Sequence, residues 1–162
     1  MAISIREFAF KKQAPTDAVV NAALNGAVTY VLLAGYADVP ILSQPGGDFS
    51  HSLMGTLVAP AIMIAFVISL LTTRATIIKR IKGEVTPALD AGVSWSKHAW
   101  KWGLSRAVLN LFVVYGLGAM ILQVSPDLRI SRITAAVIVA VMAAVLAYIE
   151  SASAVLRTPN AN

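Results

Sequence analysis

The stretch SLMGTLVAPAIMIAFVISLLTT, from Ser52 to Thr73, runs for 22 residues without a charge. A transmembrane helix needs about 20 predominantly apolar residues to cross the hydrocarbon core of a bilayer, so this stretch is long enough to span a membrane. Three more uncharged windows, of 20, 20 and 17 residues, lie at Ala18 to Ala37, Ala107 to Pro126 and Ile133 to Ile149. The four windows predict an all-α integral membrane protein.

The composition supports a single membrane domain over residues 1–162. Only 13% of the residues are charged and 57% are apolar, whereas soluble domains carry about 25% charged residues. We expect a four-helix bundle made of two helical hairpins, with spans at about 17–37, 52–74, 104–124 and 131–155. The residues 75–103 form the expected interfacial connection between the hairpins on the cytoplasmic side.

The distribution of basic residues predicts the orientation of the chain. Of the 13 Lys and Arg residues, 11 lie before the first window, between the second and third windows, or after the fourth, whereas only Arg129 and Arg132 lie in the other two loops. Basic residues concentrate on the cytoplasmic side of membrane proteins. We therefore expect both termini to be cytoplasmic, in a bacterial inner (cytoplasmic) membrane.

The N-terminal segment from Ile3 to Lys12 mixes apolar and basic residues. Such a segment is typical of a short amphipathic helix that lies in the membrane interface. Its alternation fits an extended strand equally well, and a disordered lead is a third interpretation. The first transmembrane helix is expected to begin after Pro15, with Thr16 or Asp17 as its N-cap.

Tryptophan and lysine alternate in the connection between the second and third windows. Both residue types favour the headgroup layer, tryptophan through its amphipathic ring and lysine by extending its ammonium group to water. The pattern predicts interfacial anchors, namely Trp95, Lys97, Trp100, Lys101 and Trp102. Tryptophan beside basic residues also suits base stacking on RNA, but the neighbouring apolar windows favour the membrane, and we expect no nucleic-acid partner.

Small residues recur at helical spacing in the fourth window. Lipid provides no hydrophobic force between helices, so close packing there depends on small side chains. The predicted packing positions are Ala136, Ala140 and Ala144 on one face and Ala143, Ala147 and Ser151 on a nearby face. They favour packing within the four-helix bundle at least as strongly as an oligomer interface.

The polar residues of the first window lie four residues apart. Asp17, Asn21, Asn25 and Thr29 therefore share one slowly drifting stripe of a helix. Polar groups in a membrane normally face protein or a water-filled path. Hydrogen bonding between helices is the favoured interpretation, and a transport pathway is the alternative.

Three charged residues are expected at the same cytoplasmic depth. Asp17 begins the first span, Arg106 precedes the third window, and Glu150 lies near the end of the fourth span. Arginine offers a planar fork that matches a carboxylate. We predict an ion pair or triad between Arg106 and one or both acids.

Catalytic chemistry finds little support in the sequence. There are no cysteines, which excludes thiolate metal sites and cysteine nucleophiles. The two histidines, His51 and His98, fall on opposite sides of the predicted membrane, so they cannot share one metal or haem. We expect no enzyme activity, no cofactor and no metal.

Two functions remain. The first is a non-catalytic integral membrane subunit or scaffold that packs against partner helices and lipid. The second is a small oligomeric membrane carrier or flippase for an amphipathic or anionic lipid-linked substrate, with the stripe from Asp17 to Thr29 lining its path. The first is favoured because no span carries a charge at its midpoint. The expected partners are membrane lipids and either other membrane-protein subunits or a second copy of the chain.

Overall fold

A computed structural model describes residues 2–42, 48–90, 92–124 and 128–159, apart from the side chains at positions 97, 98, 122 and 124. The chain is mostly helical, as predicted. In chain order the elements are β1 (Ile3–Ser4), α1 (Ile5–Glu7), a π-helical segment (Phe8–Gln13), α2 (Ala14–Leu32), β2 (Asp38–Pro40), a 3-10 turn (Phe49–His51), α3 (Leu53–Ile81), β3 (Val85–Thr86), α4 (Trp95–Val124), β4 (Arg129–Ser131) and α5 (Arg132–Leu156).

Three of the described helices are long and apolar enough to cross a membrane. They are Leu53–Ile81, the segment Ala99–Ile121 of α4, and Arg132–Leu156. These three helices fit a membrane protein. The fourth long helix, α2, is not among them, because Asp17, Asn21 and Asn25 lower the mean hydropathy of its 19 residues.

The N-terminal segment is helical and packs against the rest of the molecule. The hydroxyl of Ser4 accepts a hydrogen bond of 3.1 Å from the backbone N–H of Glu7, which caps α1. Phe8 is buried with Val85 and Val155 in a small apolar cluster. Burying the Phe8 ring stabilises this segment by about 2 kcal/mol, so the segment is anchored to the end of α5.

The first long helix begins earlier than the sequence predicts. Helical turns run without interruption from Ile5 into α2, so the expected N-cap at Thr16 or Asp17 is wrong. The Thr16 hydroxyl instead donates to the backbone carbonyl of Lys12, at 2.8 Å. Pro15 lies where the π-helical segment gives way to α2, at the change from π- to α-helical hydrogen bonding.

The four long helices pack in the order α2, α5, α3, α4. Helix α5 contacts both α2 and α3 extensively, and α4 packs mainly against α3. Contacts between α2 and α3, and between α4 and α5, are few. Helices α2 and α4 therefore stand at the two ends of the row, and a groove remains between α2 and α3.

Small residues bring α2 and α5 together, as their spacing suggests. A Cβ atom built on Gly26 would lie 2.9 Å from the Cβ of Ala140 and 3.6 Å from the carbonyl oxygen of Ala136. Ala143 and Ala147 lie in the core that α5 shares with α3. Of the remaining predicted packing positions, Ala144 is half-buried and Ser151 is buried.

Short strand pairs join the loops at each end of the helices. β2 pairs antiparallel with β4 in the register Asp38 to Ser131, and β1 pairs in parallel with β3, with Ile3 opposite Val85. The loops after α2 and α4 thus lie together at one end. The N-terminal segment and the α3–α4 connection lie together at the other.

The connection between α3 and α4 is shorter than the predicted 75–103. Helix α3 continues to Ile81 and α4 begins at Trp95, so only residues 82–94 lie between them. Within this connection Gly83 has a φ of 73°, a conformation that L side chains rarely adopt, immediately after the end of α3. The basic residues beyond Thr73 did not end the helix: Arg74 is exposed to water, whereas Arg80 is buried with hydrogen-bond partners.

Candidate functional site: a polar groove and a buried ion pair

The polar stripe of α2 lies along the groove between α2 and α3. Asp17, Asn21 and Asn25 are half-buried on the wall of this groove. Thr29 is 2% exposed and does not line it. The spacing of four residues therefore places three of the four predicted stripe residues on one open surface, and the fourth in the packed interior.

The opposite wall of the groove is apolar. It is formed by α3, which contributes Pro60, Met63, Ile64, Val67, Ile68, Leu71, Thr72 and Ala75. The free volume of the groove is about 530 Å³. Gln13 closes the end next to Asp17, and Pro60 lies on α3 towards the other end. The α2 wall thus carries Asp17, Asn21 and Asn25 together with the apolar Val20 and Leu24, and the α3 wall is almost entirely apolar.

Asp17 accepts hydrogen bonds from three neutral side chains on three different elements. Its carboxylate accepts from the amide of Gln13 at 3.0 and 3.2 Å, from the hydroxyl of Thr72 at 3.2 Å and from the hydroxyl of Ser151 at 2.6 Å. Among the described side chains, no Lys, Arg or His nitrogen lies within 4.0 Å of it. The Asp17 carboxylate therefore has hydrogen-bond donors around it but no cation beside it among those side chains.

The two asparagines of the stripe are bonded within their own helix. Asn21 donates its amide to the backbone carbonyl of Asp17 at 2.8 Å, and Asn25 donates to that of Asn21 at 2.9 Å. An asparagine amide has two N–H donors and a carbonyl acceptor. Each of these side chains therefore keeps hydrogen-bonding capacity for a ligand.

Arg106 and Glu150 form a buried ion pair between α4 and α5. The Nη2 atom of Arg106 lies 2.8 Å from Oε1 of Glu150, and its Nε donates to both carboxylate oxygens at 2.9 Å. The side chains are 19% and 1% exposed, respectively. Asp17, the third member of the predicted cluster, is bonded to Gln13, Thr72 and Ser151 instead.

A cavity of about 10 Å³ adjoins Glu150. Its lining includes the hydroxyl residues Ser69, Thr73 and Ser153. This volume is close to the minimum for one water molecule. The cavity is far too small for a substrate, so the ion pair is a structural feature of the α4–α5 contact.

The predicted interfacial anchors lie at or near the start of α4, with exposed rings at Trp100 and Trp102. Their aromatic neighbours and cations come from other elements: Arg74 lies 5.6 Å from the Trp95 ring, Phe66 lies 5.0 Å from the Trp100 ring, and Arg157 lies 4.4 Å from the Trp102 ring. Lys101 is exposed, and the side chain of Lys97 lies outside the described residues. The rings pack against the helix ends and also remain partly exposed.

Sequence reasoning missed the role of Arg80, which it counted only as one of many basic residues. Arg80 is fully buried. Its Nε donates to the carbonyl of Pro87 at 2.7 Å and its Nη1 donates to the hydroxyl of Thr158 at 2.9 Å. Arg80 thus ties the α3–α4 connection to the C-terminal segment. No local pattern distinguishes it from its half-buried neighbour Lys79.

Within the described ranges, no group of three or more His, Cys, Asp or Glu side chains is placed to hold a metal ion. His51 pairs with Asp48 at 3.1 Å and stacks on Tyr36 with ring centroids 4.6 Å apart. The side chain of His98 lies outside the description.

No protein-family model, curated protein or solved structure matches this chain. The α2–α3 groove and the open face of α4 are the surfaces that the fold offers to another molecule.

Proposed function

We propose that this chain is a non-catalytic integral membrane subunit that packs against a partner helix and lipid. The observation that carries this proposal is the row of helices, in which α4 packs mainly against α3. The opposite side of α4 exposes large apolar side chains, including 71% of Phe112 and 66% of Met120. This side is a surface where a partner helix fits.

A small residue lies in the middle of that exposed side of α4. A Cβ atom built on Gly116 would meet no atom within 4 Å, whereas one built on Gly118 would meet the side chain of Met54. Small residues allow close approach of helices in membranes. We place the partner contact at Gly116 for this reason.

The proposal includes four spans with both termini in the cytoplasm. Helix α2 crosses as the fourth span because its polar atoms have partners: Asp17 bonds to Thr72 and Ser151, and the two asparagine amides bond to backbone carbonyls. Satisfied polar groups cost less in hydrocarbon than free ones. The two strand pairs are consistent with this topology, because they gather the loops expected on each side.

Mild-detergent purification followed by mass analysis of the intact assembly tests the subunit function. Gly116→Leu should remove the partner while the purified chain stays folded. Ala27→Leu is the control, since it adds the same side chain at an exposed position of α2, away from α4. A chain that purifies alone, or a partner that both variants retain, contradicts the proposal.

The groove supports a second candidate, a small carrier or flippase for a lipid-linked substrate. Its α2 wall carries polar side chains and its α3 wall is almost entirely apolar, which suits a headgroup that moves while its chain stays in lipid. A fluorescent-lipid exchange assay in reconstituted vesicles tests this. Transport that is lost in Asn21→Leu and Asn25→Leu supports the carrier, and a rate equal to that of empty vesicles argues against it.

A further inference from the structure

We propose that the groove between α2 and α3 binds one phospholipid whose headgroup carries a primary ammonium, with the ammonium at Asp17 and an acyl chain along the apolar wall of α3. Lipid binding here is independent of the partner contact on α4. It also needs no transport activity.

The width of the groove favours an acyl chain. The groove follows α2 from Gln13 to Asn25, which is about 18 Å at 1.5 Å per residue. Spread over that length, a free volume of about 530 Å³ gives a mean cross-section of roughly 30 Å². Carbon atoms pack 3.5–4.0 Å apart, so one hydrocarbon chain needs about 20 Å².

The wall residues on α3 fit such a chain. Met63 is 56% exposed and Leu71 is 60% exposed, and both line the groove. An acyl chain that lies along Met63 and Leu71 would shield their apolar surface from water that enters the groove beside Asp17. The chain would run from the Asp17 end towards Pro60, parallel to the helices.

Charge determines which headgroup belongs at the end of the groove. The carboxylate of Asp17 has no Lys, Arg or His nitrogen within 4.0 Å among the residues described. Oδ2 accepts from three donors, whereas Oδ1 accepts only from Gln13. A carboxylate oxygen has two lone-pair sites, so Oδ1 can accept one more hydrogen bond. A primary ammonium supplies both the missing positive charge and an N–H donor.

This chemistry separates headgroups of similar size. A trimethylammonium headgroup has the positive charge but no N–H donor, so it cannot bond to Oδ1 of Asp17. A glycerol headgroup has hydroxyl donors, but the lipid is anionic and the carboxylate repels it. Asn21, one turn further along, keeps one amide N–H that can donate to an ester carbonyl of the lipid.

The test uses the full-length protein reconstituted into vesicles of phosphatidylcholine alone, or phosphatidylcholine with an equal amount of phosphatidylethanolamine or phosphatidylglycerol. After mild extraction, native mass spectrometry measures the lipids that each chain retains. We expect one retained phosphatidylethanolamine per chain, preferred over either other lipid by about tenfold, the effect of one partly buried charge-assisted hydrogen bond.

Two variants separate the headgroup contact from the chain contact. Asp17→Asn keeps the size and an acceptor but removes the charge, and should abolish the preference. Met63→Trp should block the groove and remove the lipid altogether. Met120→Trp is its matched control, because Met120 is equally prominent on the outer side of α4, and it should retain the lipid.

Equal retention of phosphatidylethanolamine and phosphatidylcholine by the wild-type chain would overturn the proposal. So would a preference that survives in Asp17→Asn, equal lipid loss in the two tryptophan variants, or a polypeptide in place of lipid in the groove. If Asp17→Asn does not fold, the comparison of Met63→Trp with Met120→Trp still decides. Loss of a partner from Gly116→Leu bears on the subunit function alone, so the two ideas can fail separately.

Discussion

Glu150 keeps only 1% of its side chain exposed, and Arg106 is the cation that makes this burial tolerable. A buried charge that loses its partner destabilises a protein by about 3–5 kcal/mol. The pair is asymmetric, because Arg106 is 19% exposed and its long side chain can reach water when Glu150 is absent.

This asymmetry predicts the order of a double-mutant cycle. Arg106→Ala should lower the free energy of unfolding by about 3–5 kcal/mol, and Glu150→Ala by less. The free energy of unfolding lost in the double variant should be smaller than the sum of the two single losses by at least about 1 kcal/mol. Unfolding in detergent by increasing denaturant measures all four proteins. Additive losses would show that the two charges act independently.

Asp48 illustrates a second residue-scale effect, in the loop before α3. The hydroxyl and the backbone N–H of Ser50 donate to its carboxylate at 2.7 and 2.9 Å. Both hydrogen bonds lower the pKa of Asp48 from its usual value of 3.8, and the bond from the Ser50 hydroxyl contributes most. The positive charge of His51 lowers the pKa further. Because the folded-state pKa is lowered, the contribution of this turn to stability is present above pH 3.8 and is lost as the pH falls through the lowered pKa.

Ser50→Ala should raise the pKa of Asp48 back towards its usual value. The variant removes the side-chain hydrogen bond that contributes most to the shift. Carboxyl chemical shifts followed by NMR across a pH titration measure it. Ser94→Ala serves as the control, since Ser94 bonds only with Ser96 among the side chains described. An unchanged Asp48 titration in Ser50→Ala contradicts the assigned cause.

At the scale of the helices, the contact between α2 and α5 depends on the absence of a side chain at Gly26. A Cβ there would lie 2.9 Å from the Cβ of Ala140, which is closer than real Cβ contacts. Both atoms belong to helix backbones that cannot move independently. An added methyl group must therefore push the two helices apart.

Gly26→Ala should destabilise the protein by about 1–3 kcal/mol through this overpacking, despite the higher helix propensity of alanine. Gly116→Ala is the matched control, because that position is helical and open, and it should be neutral or stabilising by up to about 1 kcal/mol. Thermal unfolding in the same detergent compares them. A stabilised Gly26→Ala would mean that the close approach does not hold in solution.

The sequence predicted the long helices well and their ends less well. Uncharged windows identify α3, α4 and α5 because length and hydropathy are local properties. The start of α2 was placed too late, since the burial of Phe8 against Val85 and Val155 is a long-range contact. The α3–α4 connection was predicted to begin at residue 75, just past the end of the uncharged window, whereas α3 continues to Ile81.

At the scale of the whole molecule, the order in which the helices pack could not be predicted from the sequence. Lipid is as apolar as leucine, so an exposed Phe112 and a buried Val139 look alike in a hydropathy pattern. The pattern suggested a four-helix bundle of two hairpins, α2 with α3 and α4 with α5, whereas α2 packs against α5, α3 packs against α4, and α2 and α4 stand at opposite ends of a row. Spacing did identify the polar stripe of α2, but only the row shows that Asp17, Asn21 and Asn25 face an open groove.

The proposed topology makes a prediction that the cysteine-free chain allows to be tested directly. Single cysteines at Ala2, Ser50 and Ser94 lie in the N-terminal segment, the loop before α3 and the α3–α4 connection. If α2 and α3 both cross the membrane, Ala2→Cys and Ser94→Cys should react with an impermeant maleimide only after the cells are opened. Ser50→Cys should react in intact cells.

Helix α2 is the decisive element, because it is the long helix with too many polar residues to be recognised as a span by hydropathy. If it lay outside the membrane, Ala2→Cys and Ser50→Cys would react from the same side, while Ser94→Cys would still react from the other.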